Sequence, residues 1–466
     1  MKATASLLFI SKETWKKQFL YFILAIVVII NLFTGLFNIY GDGVGYNFLY
    51  QQLRERNWSF TIYPESPPLP SEYMFVPAGS GWSTYYQIGA PLVWAFFVPP
   101  LTQVLMPLLT IISPIPSVWL DGLIRDGVAI LALNAILAYV IMRLLIYVLT
   151  RELSFSLPTA VAAVLLTYFG LPSWVYTFQA VAYAHTVELF FVTCAVAAYV
   201  RAYRTRVQSW LLAGSVCVGF AGITRIDALI YLLPFAGVAL VIFPSKMRAL
   251  ISTTAPALAI SALQVLVWWM IFRTLLPSKG YTMESLQFPG RFAWEVLFSS
   301  VRGFFVWSPI ALFGVVGLLS NLRKKISRRH IAVIGVSSII LYALFYGSWY
   351  MWWGGDSVGQ RFLIPLLPFI AFGVAQYLHD ICAYPVLLRA GGRLVVVLAS
   401  LFYFSLALIY PLVDRPGSTE EYTTPMTLYR NASVEYGFPS LSSWQPLLRD
   451  SLWFGPRLTH LLYYQK

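Results

Sequence analysis

Long apolar runs separated by short polar segments dominate the chain from about residue 19 to residue 413. A helix that crosses a bilayer needs about 20 mostly apolar residues. Eleven runs are predicted to be such spans: 19–37, 126–149, 156–172, 184–201, 209–223, 227–243, 250–272, 303–320, 331–347, 361–378 and 393–413. The pair 209–223 and 227–243 is short and reads as a tight hairpin. The first run follows Lys12, Lys16 and Lys17, and the residues after it, Asn38-Ile39-Tyr40-Gly41-Asp42, lack a small-x-small cleavage site. It is expected to be an uncleaved anchor and not a signal peptide.

The run 88–112 is as long and as apolar, yet it contains Pro91, Pro99, Pro100 and Pro107. Each proline removes a backbone donor and kinks a helix. Parity bears on it too. Three basic clusters share one side of the membrane only if 88–112 does not cross: Lys12 to Lys17, Arg201 to Arg206, and Arg323-Lys324-Lys325 with Arg328-Arg329. The segment is therefore expected to be interfacial or re-entrant. The positive-inside rule then puts the N-terminus in the cytoplasm and the C-terminus outside. On that topology the cytoplasmic segments hold seventeen basic residues against three acids, Glu13, Glu152 and Asp380. The other sixteen acids fall on the outer side or in the outer part of a span.

Composition agrees. Of 466 residues, 59% are hydrophobic and 11% charged, against about 45–50% and about 25% in soluble globular chains. A soluble enzyme, a disordered protein and a disulfide scaffold are excluded. The fold class expected is all-α, a polytopic transmembrane helical bundle. The net charge of +13 reads as topology and not as a nucleic-acid surface. Three cysteines and four scattered histidines supply neither a CxxC nor an HxxxH metal pair. The membrane domain is expected over 1–413, with a large first external loop at 39–125 and a smaller one at 273–302. The tail 414–466 is near the lower limit for folding alone and is expected to pack back on the membrane domain. No internal repeat is apparent, so an inverted-repeat transporter has no support in the sequence.

Four stretches hold candidate chemistry, all on the outer side of this topology. Tyr40-Gly41-Asp42-Gly43-Val44-Gly45-Tyr46 follows the first span. Its glycines let the backbone turn tightly or approach a ligand, and the plainer alternative is a solvated Gly-Asp turn. Trp349-Tyr350-Met351-Trp352-Trp353-Gly354-Gly355-Asp356-Ser357-Val358-Gly359-Gln360-Arg361 reads as a binding loop, although aromatics alone would make an interfacial belt. His185 and Glu188 are three apart, hence on one helix face, as a functional pair or as helix-packing polar groups. Arg225 sits in Gly222-Ile223-Thr224-Arg225-Ile226-Asp227. It either pairs locally with Asp227 or serves an anion, since an arginine at a membrane end is costly and its planar fork suits phosphate.

In this order, and together with Arg302-Gly303-Phe304-Phe305-Val306-Trp307-Ser308-Pro309, these motifs resemble the GT-C superfamily of polytopic glycosyltransferases, of the protein O-mannosyltransferase and aminoarabinose-transferase type. The resemblance covers roughly 19–380 and leaves the tail unmatched. It implies external loop helices, a polyprenyl-phosphate-linked sugar donor, a non-cytoplasmic active site and a catalytic acid in the first external loop, the place of Asp42. Many members carry Asp-Glu where this chain has Asp42-Gly43, and some carry an acid where it has His185. Metal ligation is thus unassigned, no cofactor is certain, and a divalent metal is left open. The expectation is a prokaryotic plasma-membrane enzyme that transfers the sugar to a hydroxyl of a glycan, lipid or protein on the periplasmic or extracellular side. Asp42 is its expected catalytic base, and Arg225 and Arg361 its donor-phosphate ligands. Tyr46, His185, Glu188, Trp352, Trp353, Asp356 and Gln360 are the expected donor or acceptor pocket. Its partners are that donor, the acceptor and membrane lipids, with no nucleic acid. The competing classes are a transporter or lipid flippase, and a catalytically inactive envelope-assembly scaffold.

Overall fold

The computed structural model describes residues 42–61, 75–78, 81–112, 123–275, 290–323, 326–349, 351–355 and 357–409. The expected span at 19–37, the tail 414–466 and Asp356 lie outside the described residues. In chain order the helices are α1 (Asp42–Arg54), α2 (Gly89–Ile112), α3 (Leu123–Tyr147), α4 (Leu157–Gly170), α5 (Ser173–Phe178), α6 (His185–Thr205), α7 (Ser209–Thr224) and α8 (Leu232–Ile242). There follow α9 (Lys246–Phe272), α10 (Ala293–Phe298), α11 (Phe304–Trp307), α12 (Ile310–Asn321), α13 (Ile326–Gly347), α14 (Leu367–Asp380) and α15 (Val386–Ile409). Among the described residues the one sheet is a hairpin, Phe75–Ala78 against Gly81–Thr84, with Phe75 opposite Thr84. The chain is an integral membrane protein: seven helices are long and apolar enough to cross a bilayer, and four shorter apolar helices accompany them.

The run 88–112, expected to be an interfacial or re-entrant segment, is one continuous helix, α2, long and apolar enough to rank among the seven of spanning length. Pro91 falls in its first turn, where backbone N–H groups have no helical partner to lose. Pro99, Pro100 and Pro107 lie inside the helix without ending it. Their neighbours Phe96 and Phe97 are exposed, while Trp94 is fully buried and edge-on to Tyr46 and Tyr50 of α1. The expected span at 303–320 is divided, with Ser308 and Pro309 separating α11 from α12.

The bundle has two chemically different poles. At one pole, Glu152 beyond α3 takes Arg201 at 2.7 Å and Arg204 at 3.0 Å, both from the end of α6. There too Arg328, opening α13, donates to the Leu153 carbonyl and to Gln376, and Asp380 closes α14 against Ser320. The opposite ends of the same helices carry His185, Tyr346 and, just before α14, Arg361. Helices that alternate in direction therefore separate the basic pole from the carboxylate-bearing one, as the charge pattern predicts.

Glycines set the closest crossing. A Cβ on Gly317 of α12 would lie 1.8 Å from the Gly373 carbonyl oxygen, and one on Gly373 of α14 would lie 1.9 Å from that of Gly314. The two backbones are in contact, which is how membrane helices gain packing where no hydrophobic drive separates side chain from lipid.

Candidate functional site

Asp42 is the first residue of α1, where the positive end of the helix dipole favours a carboxylate. Gly43 and Gly45 are helical, so the expected tight turn is corrected at these two positions to a close approach. Gly43 packs on Ala182, and a Cβ on Gly45 would lie 2.3 Å from the Tyr86 ring. The space that Gly45 leaves open brings the Tyr86 hydroxyl to Asp42, to whose Oδ1 it donates at 2.8 Å. The other carboxylate oxygen, Oδ2, lies 2.9 Å from Arg361 Nη2. Burial and the neighbouring Asp42 carboxylate push the Tyr86 hydroxyl well above the usual phenol range, so it remains a donor.

Arg361 is placed by the loop that precedes it. Gly354, Gly355 and Gly359 all have positive φ (83°, 66° and 74°), a region open to glycine at no steric cost. The loop so curled closes over Arg361: a Cβ on Gly354 or Gly355 would lie 3.4 Å or 3.9 Å from its side chain. The guanidinium stands over the Tyr183 ring at 5.3 Å and the Phe362 ring at 5.4 Å. Gln360, fully buried, donates from Nε2 to the Trp352 carbonyl and so ties the loop to itself. Trp352 stacks on Phe292, and Trp353 meets it edge-on.

A second, more deeply buried cluster adjoins. Arg225 Nε lies 3.2 Å from Glu188 Oε2 and 3.3 Å from Asp227 Oδ1, and its Nη2 donates to the Tyr346 hydroxyl at 2.9 Å. His185 Nδ1 is 3.5 Å from the same Glu188 oxygen, and Tyr183 stacks on the imidazole at 6.3 Å. The local Arg225–Asp227 pair expected from sequence is present, but Glu188 shares the arginine. Arg225 also stands over Phe362, at 5.5 Å. Tyr46, on the buried face of α1, packs against Tyr86 at 4.7 Å. The sequence-predicted residues Asp42, Tyr46, His185, Glu188, Arg225 and Arg361 are thus linked by direct contacts or by one shared side chain, while Trp352, Trp353 and Gln360 belong to the loop that precedes Arg361.

Sequence reading missed Tyr86 and Tyr346. Tyr346 is indistinguishable from the other apolar residues of its span, and Tyr86 precedes α2 without any periodic signal. Among the described residues no group of three or more His, Cys, Asp or Glu side chains could hold a metal ion.

No family model matches the chain, and no curated protein matches it. Among solved structures it is similar to the archaeal oligosaccharyltransferase AglB from Archaeoglobus fulgidus in complex with an inhibitory peptide and a dolichol-phosphate. That match has 12% identity and a TM-score of 0.47, covering 95% of this chain and 60% of that one. It is also similar to ArnT from Cupriavidus metallidurans bound to undecaprenyl phosphate, with 11% identity and a TM-score of 0.48, covering 95% and 78%. The chain therefore spans about 60% of the length of the oligosaccharyltransferase.

Proposed function

We propose that the protein is a membrane glycosyltransferase that moves a sugar from a polyprenyl-phosphate donor to an acceptor hydroxyl at the external end of the bundle. One observation carries the reading: a partly exposed carboxylate, Asp42, pairs with Arg361, which shares the Phe362 ring with a second guanidinium, that of Arg225, at one end of a membrane-spanning bundle. A lipid phosphate is already a good leaving group. What remains to be supplied is a base for the incoming hydroxyl and cations for the departing phosphate.

The acceptor hydroxyl gives its proton to Asp42 as its oxygen bonds to the anomeric carbon. The bond from that carbon to the phosphate oxygen breaks, and the electron pair leaves on the phosphate, held by Arg361 and Arg225. Before the donor binds, Arg361 is paired with Asp42. A donor phosphate competes for the same guanidinium and so releases the carboxylate it needs as a base. The basic pole is assigned to the cytoplasm by the positive-inside rule, which puts the site on the periplasmic or extracellular face of a prokaryotic plasma membrane. There the prenyl tail stays in lipid while the headgroup meets a glycan, lipid or protein acceptor. A transporter would instead place its ionisable groups near the bilayer midplane.

The test is to incubate the purified chain, in detergent and in vesicles, with a panel of polyprenyl-phosphate sugars and acceptors. Release of polyprenyl phosphate with a glycosylated product is expected. Movement of the lipid-linked sugar across the vesicle without bond cleavage would overturn the reading, and so would no turnover of any donor by folded protein.

A further inference from the structure

We propose that Tyr86 is the positioning residue for Asp42: it fixes Oδ1, so that Oδ2, once released by Arg361, is the oxygen that takes the acceptor's proton. This rests on the glycosyl-transfer reading and assigns roles within the same site.

Three observations carry it. The first is the division of the carboxylate, with Oδ1 accepting from Tyr86 at 2.8 Å and Oδ2 facing Arg361 at 2.9 Å. Only the Arg361 contact is of the kind a phosphate can displace, because a phenol is a far weaker phosphate ligand than a guanidinium. The second is the notch in α1. Tyr86 is 8% exposed, and its ring occupies the place that a Cβ on Gly45 would take. The third is the mounting of residues 85–88. Gln264 of α9 accepts from the Ile88 N–H at 2.7 Å, and Trp268, one turn on, donates from Nε1 to the Tyr85 carbonyl at 3.2 Å. Tyr86 is thereby held from both sides by a helix that touches neither Asp42 nor Arg361 in any contact described above. A carboxylate fixed at one oxygen keeps the other in a constant direction as its arginine leaves, and constant direction is what base catalysis requires.

Among the described residues, Arg361 and Tyr86 face Asp42, Tyr46 and Tyr85 flank Tyr86, and Tyr176, Tyr183, His185 and Arg225 face Arg361. Removing the Tyr86 hydroxyl therefore takes away one hydrogen bond to the ionised carboxylate and leaves the cation in place.

Tyr86→Phe keeps the ring in its notch. The Asp42 carboxylate stretch is isolated by infrared difference spectroscopy, with Asp42→Asn as the subtraction. In Tyr86→Phe its band is expected to shift, because one of the two oxygens loses its hydrogen bond. The transfer rate should fall about tenfold with thermal stability near that of the wild type. Gln264→Ala, which leaves the Tyr86 hydroxyl intact but loosens its mount, should lower the rate by less and shift the band in the same direction. An unchanged carboxylate band in folded Tyr86→Phe would overturn the assignment. So would an unchanged transfer rate. The spectroscopic signature needs no turnover, so it fails or holds separately from the glycosyl-transfer reading.

Discussion

Arg225 and Arg361 stand over one ring, that of Phe362, at 5.5 Å and 5.4 Å. Phe362 is itself stacked flat on Tyr346, with centroids 4.2 Å apart and planes 2° apart. Two cations so close repel each other unless their charge is met. Here Asp42 meets one, and Glu188 with Asp227 meets the other. The two arginines are not equivalent, however. The carboxylates around Arg225 are buried (0% and 5% exposed), whereas Asp42 is 24% exposed.

That difference predicts a split between stability and binding. Arg225→Met strands two buried carboxylates, and breaking a buried pair by removing one partner costs about 3–5 kcal/mol. Arg361→Met leaves Asp42 with access to water and should cost much less. Thermal denaturation in detergent should show the larger loss for Arg225→Met. Arg361→Lys, which keeps charge but not the fork, should weaken polyprenyl-phosphate binding about tenfold with little change in melting. Equal melting losses for the two Met variants would remove the distinction.

The two poles predict topology. Reporter fusions at Ser327, in the basic pole, and at Ser357, beside the site, should report opposite sides, with Ser327 cytoplasmic. Reports from the same side would remove the external assignment of the site.

Much of this arrangement was legible because membrane sequences expose their exceptions. Asp42, Arg225 and Arg361 stand out as charges at the ends of apolar runs, and the basic clusters orient the runs between them. His185 and Glu188 could be paired by spacing alone. Three things were not legible. Gly45 looks like a turn residue, and only the Tyr86 ring beside it shows that it makes room within a helix. Pro99 and Pro100 look like helix breakers, yet α2 continues through them, as helices in apolar surroundings tolerate. Tyr346 becomes a partner of Arg225 only when spans 121 residues apart in sequence are brought together.

Glycine contacts predict where small residues are indispensable. Gly373→Val sets new atoms against a backbone carbonyl that no rotamer change can move, so α12 and α14 must separate. Loss of folded protein is expected. Gly237→Ala, within α8, meets nothing within 4 Å and should be neutral or raise stability by up to about 1 kcal/mol through helix propensity. Size-exclusion profiles and melting curves of the two variants check this, and a well-folded Gly373→Val would show that the crossing is not in contact.

Alkaline stability should depend on Tyr50. Burial, and after it the Asp126 carboxylate, push its hydroxyl up to about 12. A group whose folded-state value is raised stabilises fully below its unfolded value, about 10 for tyrosine, and loses that contribution as pH climbs through the folded value. The window is therefore about pH 10 to 12. Between pH 9 and 12 the melting temperature of Tyr50→Phe should fall less than that of the wild type. Parallel declines would show that Tyr50 titrates alike in both states.

Asp42→Asn separates the two roles that the carboxylate holds. As a base, Asp42 accepts the acceptor's proton, and an amide cannot. Transfer should fall by about 10²–10⁴-fold, the usual worth of general base catalysis. As a partner, Asp42 occupies Arg361, and the amide releases it. Donor phosphate then meets a guanidinium with no competing anion, so polyprenyl-phosphate affinity should rise while the rate collapses. A residue that only helped to bind the donor would lose both together. A solvated turn residue would change neither, because Asn and Asp suit turns alike. Single-turnover transfer measured beside equilibrium binding of polyprenyl phosphate distinguishes these outcomes. Near-normal transfer by a well-folded Asp42→Asn protein would remove Asp42 from the chemistry, and weaker donor binding would remove the competition for Arg361.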